Sequence, residues 1–205
     1  MVVSASSVTL ATLRDRVEAM LVDTGNAIWG TGLLDEAIAQ ALAEYSELRL
    51  RQVVVTLALT TALSTNGREI DISSITSLVS VEKLWAPYTA AGVDPTERAF
   101  EHWLEDETLY LPGGDVLTTA QSVRMFYCAR HTINGLDSEV TTTYRTGDDA
   151  IIVLGGVAYA LLARSNDLTE QVTLSADTVD QLRDLSNDFF REFRSRLGVV
   201  VAPRR

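Results

Sequence analysis

The sequence predicts an α+β protein: an antiparallel bundle of about four helices, an antiparallel β subdomain inserted between its halves, and an extended C-terminal arm. Three observations carry this. Apolar residues recur at helical spacing near both ends of the chain, between residues 9 and 48 and again from 148 to 197. The stretch between them turns β-branched and is punctuated by turn residues. The last residues, Val199-Val200-Val201-Ala202-Pro203-Arg204-Arg205, are apolar, proline-broken and then basic. The organisation expected is a helical hairpin over 1–50, the β subdomain with its connecting loop over 51–146, closing helices over 147–198 and the arm over 199–205.

The first helix spans Thr9 to Asp23, with Leu10, Leu13, Val17, Met20 and Leu21 on one face and Arg14, Asp15, Arg16 and Glu18 on the other. Thr24-Gly25-Asn26 supplies residue types that end helices. A second helix runs from about Leu33 to Leu48, aligning Leu34, Ile38, Ala41, Leu42 and Tyr45, with Thr31 as the expected N-cap. Trp29, in the linker, is suited to plug the open end of this hairpin.

From Arg51 to Leu63 the chain is rich in valine and threonine, and Asn66-Gly67 is a hairpin-turn signal. Further strands are expected at Glu69–Ile72, Leu78–Trp85, Phe100–Leu104, Thr108–Leu111 and Gln121–Ala129. Glu105-Asp106-Glu107 and Pro112-Gly113-Gly114-Asp115 read as turns. Such spacing suits an antiparallel sheet or a small barrel, with 130–145 as a connecting loop.

Helix returns near Asp148, where the pair Asp148-Asp149 suits the positive end of a helix dipole. Ile151, Leu154, Val157, Ala158, Leu161 and Leu162 give it a broad apolar surface, while Gly155, Gly156 and Ala160 make it small-sided. A helical glycine costs about 1 kcal/mol relative to alanine, so two in succession call for a reason, of which close approach of a neighbouring helix is one. The last helix starts near Ser175, aligns Val179, Leu182, Leu185, Phe189, Phe193 and Leu197, and stops at Gly198.

Composition narrows the function. The 205 residues are 46% hydrophobic and 22% charged, with 28 acidic and 17 basic residues for a net charge of −11. That field repels nucleic acid and anionic membranes and offers no counterion-release affinity for phosphates. The apolar run from Ala150 to Ala163 is short for a membrane span and suits a core helix. No signal-peptide pattern opens the sequence, so synthesis is expected in the cytosol. Charge is also polarised. Seven acids and one arginine lie between Asp94 and Asp115, whereas Arg191, Arg194, Arg196, Arg204 and Arg205 face only Glu192 near the end. Each run is a solvated face, or the two ends orient identical subunits by complementary fields.

Catalytic chemistry has little support. Cys128 and His131 would need an accessible, electropositive thiolate, but Cys128 lies on an apolar strand and His131 beyond its end. His102, His131 and Cys128 match no metal-ligand spacing, and Glu105-Asp106-Glu107 lacks the alternating ligands of a calcium loop. Neither a phosphate-binding glycine loop nor a G-x-S-x-G elbow occurs. No cofactor, metal or catalytic residue is expected.

The ordered segments resemble the head-to-tail connector, or adaptor, proteins of tailed bacteriophages. The residues carrying the match are Leu10-Ala11-Thr12-Leu13-Arg14-Asp15-Arg16-Val17, the linker Trp29, and Leu34 through Ser46 (LDEAIAQALAEYS). They continue with Val123-Arg124-Met125-Phe126-Tyr127 before Ala129-Arg130-His131, the small-residue helix Asp149 through Arg164, and Phe189-Phe190-Arg191-Glu192-Phe193. The resemblance spans nearly the whole chain in order, although Gly32-Leu33 stands where the second helix of the family often opens with acidic residues. It implies a non-enzymatic structural protein of the virion neck, made in the host bacterial cytoplasm. Its subunits would form a homo-oligomeric, dodecameric ring under the portal protein, extending the DNA channel without binding sequence or membrane, and receiving the downstream neck or tail protein. Val199, Val200 and Val201 would add a strand to the portal, Arg204 and Arg205 would meet its acidic groups, and Gly155, Gly156 and Ala160 would allow close helix packing. The alternatives are a tail-completion protein on the tail side of the neck, a small cytosolic enzyme centred on Cys128 and His131, and a stand-alone binding domain.

Overall fold

The structure, a computed structural model, describes residues 6–23, 28–89, 96–103, 106–170 and 176–198. It is α+β. Among the described residues there are five helices and two small antiparallel sheets. The chain divides into two compact units, Met1–Arg49 together with His131–Arg205, and Leu50–Arg130.

The first unit holds four long helices: α1 (Leu10–Leu21), α2 (Thr31–Leu48), α4 (Asp149–Glu170) and α5 (Ala176–Leu197). Thr9 caps α1, its hydroxyl accepting the Thr12 N–H at 3.3 Å. The helix ends at Leu21, because Val22 turns left-handed (φ 58°) and Asp23 takes over the following donors. Asp23 Oδ2 accepts the N–H groups of Ile28 and Trp29 at 2.9 and 2.8 Å, which seats Trp29 in the core. The expected terminator, residues 24–26, lies outside the described residues. Helix α2 begins two residues earlier than its periodicity suggests. Gly30, not Thr31, holds the N-cap position, and its carbonyl accepts from Leu33 and Leu34.

Helix α4 packs against α5, α2 and α1, and α1 packs against α2. Segment Asp149–Leu168 is long and apolar enough to cross a membrane by length and composition, but 67% of that apolar window is buried inside the protein. Its contributions to the core include Ile152, Val157 and Leu161, which join Leu13, Leu34, Ile38 and Phe193. On α5 the buried positions are Val179, Ser186, Phe193 and Leu197, whereas Leu185, assigned to the apolar face from sequence, is 47% exposed. A 3.6-residue period places Ser186 on that face instead, and its hydroxyl donates to Ala158 O at 2.8 Å. Gly198 terminates α5 with φ 88°.

Residues 130–145, expected as a connecting loop of the β subdomain, lie in the helical unit from His131 onward, so the boundary falls at Arg130. The reason is a set of long-range hydrogen bonds to the start of the chain. The Ser6 N–H donates to Tyr144 O at 3.0 Å and the Leu10 N–H to Asn134 O at 2.9 Å, while Ile133 and Tyr144 are fully buried.

The second unit comprises β1 (Arg51–Ala58), the one-turn α3 (Leu59–Ala62), β2 (Glu69–Asp71), β3 (Leu78–Trp85), β4 (Glu101–Trp103), β5 (Thr108–Tyr110) and β6 (Ser122–Ala129). One sheet has the order β1-β6-β3 and the other β2-β5-β4, all pairs antiparallel. The first strand stops at Ala58 rather than continuing to Leu63, since Leu59 turns inward and is fully buried. Asn66-Gly67 turns the chain so that Leu63 bridges Ile70. Gly67 has φ 68°, and a Cβ there would lie 2.7 Å from Leu117 O, so the turn requires glycine twice over. Leu59, Ile70, Leu84, Leu109, Leu111, Val123 and Met125 form this unit's own core.

Candidate functional site

Cys128 pairs across the sheet with Gln52 and Ser80 and is 8% exposed. Burial pushes its thiol pKa up, and the charge of Glu82 adds to the shift. Both effects oppose a thiolate. His131 belongs to the helical unit. Its N–H donates to Ser46 Oγ at 3.0 Å, its Nε2 lies 2.8 Å from Arg49 O, and its Nδ1 lies 3.4 Å from Thr143 Oγ1. A carbonyl oxygen only accepts, so Nε2 carries the proton and Nδ1 faces the threonine hydroxyl. The ring stands edge-on to Tyr45 at 5.2 Å. This histidine clasps α2 to the chain entering the second half of the unit. His102 lies on β4, where burial lowers its pKa. Among the described residues, no group of three His, Cys, Asp or Glu side chains comes together to hold a metal. Glu105 lies outside the described residues.

Gly155 and Gly156 sit at close helix contacts of the unit. A Cβ at Gly155 would lie 2.7 Å from Ala41 Cβ on α2 and 2.9 Å from Phe193 Cε2 on α5. At Gly156 it would lie 3.1 Å from Val17 Cγ2 on α1 and 3.2 Å from Ile38 Cγ1 on α2. Ala160, about one turn on, is fully buried. The small-residue surface of α4 therefore receives three helices of its own chain.

Two polar networks tie these helices to one another. Tyr45 Oη donates to Asp148 Oδ2 at 2.6 Å, and Arg49 Nη1 donates to the same oxygen at 3.0 Å. Burial and Asp148 together push the Tyr45 phenol up to about 12. In the other, Glu44 accepts from Tyr159 Oη at 2.7 Å and from Arg194 Nε at 2.6 Å. Burial raises the Glu44 carboxyl, but the hydrogen bonds from Arg194 and Tyr159 outweigh it and hold the pKa below the ordinary value. Sequence reading missed this set, because bonds spanning 99 to 150 residues leave no local periodicity.

Each unit carries apolar or aromatic surface edged by charged side chains. On the helical unit, a groove of about 610 Å³ is lined by Glu44, Glu47, Leu48, Tyr159 and Arg194. A second, of about 440 Å³, has a floor of Met20, Val153 and Leu154 flanked by Arg16 and Arg196. On the β1-β6-β3 sheet, Arg124 lies 5.1 to 5.9 Å from the ring centres of Trp85, Tyr88 and Phe126 and donates to Tyr88 Oη at 2.6 Å. The alternation of Arg124 and Phe126 with buried Val123 and Met125 is the sequence signal for that face. On the β2-β5-β4 sheet, Trp103 stacks on Tyr110 with ring centroids 5.4 Å apart.

No protein-family model matches this chain, and no curated protein matches it. The arm residues Val199, Val200, Val201, Arg204 and Arg205 lie outside the described residues. These surfaces combine apolar and aromatic patches with charge at their edges, while the titratable groups of the two networks are engaged in holding helices.

Proposed function

We propose that this chain is a structural subunit of a bacteriophage head–tail adaptor ring, placed in the virion neck between portal and tail. In finer terms it is a helical bundle interrupted by a β subdomain and continued by a C-terminal arm. The observation that carries the reading is the seating of α4. The small-residue helix that most resembles the connector family packs its two glycines against α1, α2 and α5. The order of elements along the chain supports it as well.

The work of such a subunit is mechanical: templating symmetry, sealing the channel and letting DNA pass. A net charge of −11 suits a channel through which DNA slides without sticking. The arm is assigned to portal docking, Val199 to Val201 by strand addition and Arg204 and Arg205 by pairing with acidic groups. No cofactor or metal enters this function.

The test is negative-stain imaging of the protein mixed with the portal encoded beside it. A new ring of density on the narrow end of the portal, absent without this protein, is expected. Its absence with an intact portal removes the portal-side reading and directs the same experiment to the tail-side components of the neck. Deletion of residues 199–205 is expected to abolish portal docking while the helical circular-dichroism signal is kept; retained docking removes the arm assignment.

A further inference from the structure

We propose that copies of this chain associate head to tail, the outer face of the β2-β5-β4 sheet of one copy seating Trp103 in the arginine-flanked groove of the next. This deepens the ring reading and rests on it only for closure of the assembly.

The outer face follows from the strand register. Glu69, Tyr110 and Glu101 lie directly across the three strands, as do Asp71, Thr108 and Trp103. Residues directly opposite share a face. The alternate positions Ile70 and Leu109 are fully buried, so the first set faces outward. That face presents a stacked aromatic pair among the three carboxylates of Glu69, Asp71 and Glu101. Trp103 is 44% exposed. The nearest cation in sequence, Arg68, is turned to the carbonyls of Leu111 and Gly113. Hydrogen bonds from Ser73 hold the Asp71 carboxyl below its ordinary pKa, which keeps it charged.

The groove on the helical unit is complementary. Its apolar floor includes Met20, 43% exposed. Arg16 and Arg196 stand on its flanks, each about half exposed, one beside Asp149 at 3.5 Å and the other on Glu192 at 2.7 Å. Each guanidinium has five N–H donors, so these contacts leave others for an incoming carboxylate. An indole over Met20 and Val153, with Glu101 and Asp71 meeting the arginines, joins the residue types that dominate interface energies. The occupant is a second copy because the two surfaces complement one another in charge, and pair an exposed indole with an apolar floor, while differing in identity. Such heterologous pairing extends from copy to copy and generates rings or filaments.

Two single-cysteine variants of the full chain in a Cys128→Ala background, Met20→Cys and Trp103→Cys, test this. They are mixed and oxidised with copper phenanthroline. Disulfide-linked heterodimer is expected at several-fold higher yield than from the control pair Met20→Cys and Val140→Cys, Val140 being an exposed residue of the helical unit. Adding Arg16→Glu and Arg196→Glu to the Met20→Cys chain should reduce the yield to the control level. Adding Glu101→Arg and Asp71→Arg to the Trp103→Cys chain should then restore it. Yield equal to the control pair, or yield unmoved by charge reversal in chains with native circular dichroism, overturns the contact. Portal ring density without this cross-link removes the contact and leaves the adaptor reading. Cross-linking without portal binding does the reverse.

Discussion

Alanine at Gly155 and alanine at Gly156 should have different consequences, although the two residues are neighbours on one helix. Each substitution gains about 1 kcal/mol of intrinsic helix propensity. What opposes the gain differs. At Gly156 the new methyl would meet Val17 Cγ2 and Ile38 Cγ1 at 3.1 and 3.2 Å, side-chain atoms that yield by a few tenths of an ångström. At Gly155 it would meet Ala41 Cβ at 2.7 Å, an atom fixed to the backbone of α2, and the ring of buried Phe193 at 2.9 Å. Relief there requires moving a helix, and overpacking of that kind costs about 1–3 kcal/mol. Gly156→Ala is therefore expected near neutral or slightly stabilising, and Gly155→Ala net destabilising by up to about 2 kcal/mol. Urea unfolding followed by helical circular dichroism measures both. The companion change Ala41→Gly, itself destabilising, should recover part of the loss in the Gly155→Ala background, which a double-mutant cycle isolates. A Gly155→Ala protein as stable as Gly156→Ala would refute the reasoning.

Two further outcomes are expected. The Glu44 carboxyl has a depressed folded-state pKa, so its ion pair stabilises the protein above the ordinary value of 4.5 and that stability is lost as pH falls through the lower folded value. Glu44→Gln should be less stable than wild type at pH 7, with the gap narrowing as the pH drops below 4.5; a pH-independent gap would show that the charge contributes nothing. Cys128, buried with a raised pKa, should react with iodoacetamide at pH 7 at least about tenfold more slowly in the folded protein than in urea. Rapid alkylation of the folded chain would reinstate a reactive thiol.

Much of the architecture is local and therefore legible. The five later strands begin and end within one residue of their expected bounds, whereas the valine- and threonine-rich run leaves the sheet at Ala58, five residues before Leu63. What escapes is whatever depends on a distant partner. Val22 ends α1 in a left-handed conformation because Asp23 turns to Ile28 and Trp29. Residues 130–145 read as a linker because threonines carry no periodic signal, yet Thr142 and Thr143 accept backbone donors from Asn134 and Thr132 and build part of the helical unit. Leu185 was drawn to the apolar face by its composition, while the helix phase selected Ser186. At the candidate site, glycines in an apolar helix signal close packing, but only the structure names Ala41, Phe193, Val17 and Ile38 as the neighbours. Trp103 and the groove beside Met20 leave no combined trace, since one lies on a strand of the β unit and the other on a helix.

The chain leaves the helical unit at Arg49 and re-enters it at His131, and the two crossings lie side by side. Arg51 pairs with Ala129 in the first register position of β1 and β6, and His131 Nε2 meets Arg49 O at 2.8 Å. The consequence concerns the order of folding. Before the β unit forms, joining α2 to α4 means closing a loop of the 81 residues Leu50–Arg130. Once β1 and β6 have zipped, the effective loop shrinks to a few residues, which lowers the closure entropy by about 2–3 kcal/mol. The β unit is contiguous in sequence and precedes α4, so folding it first would shorten the chain that must close before the glycine-bearing helix meets α2.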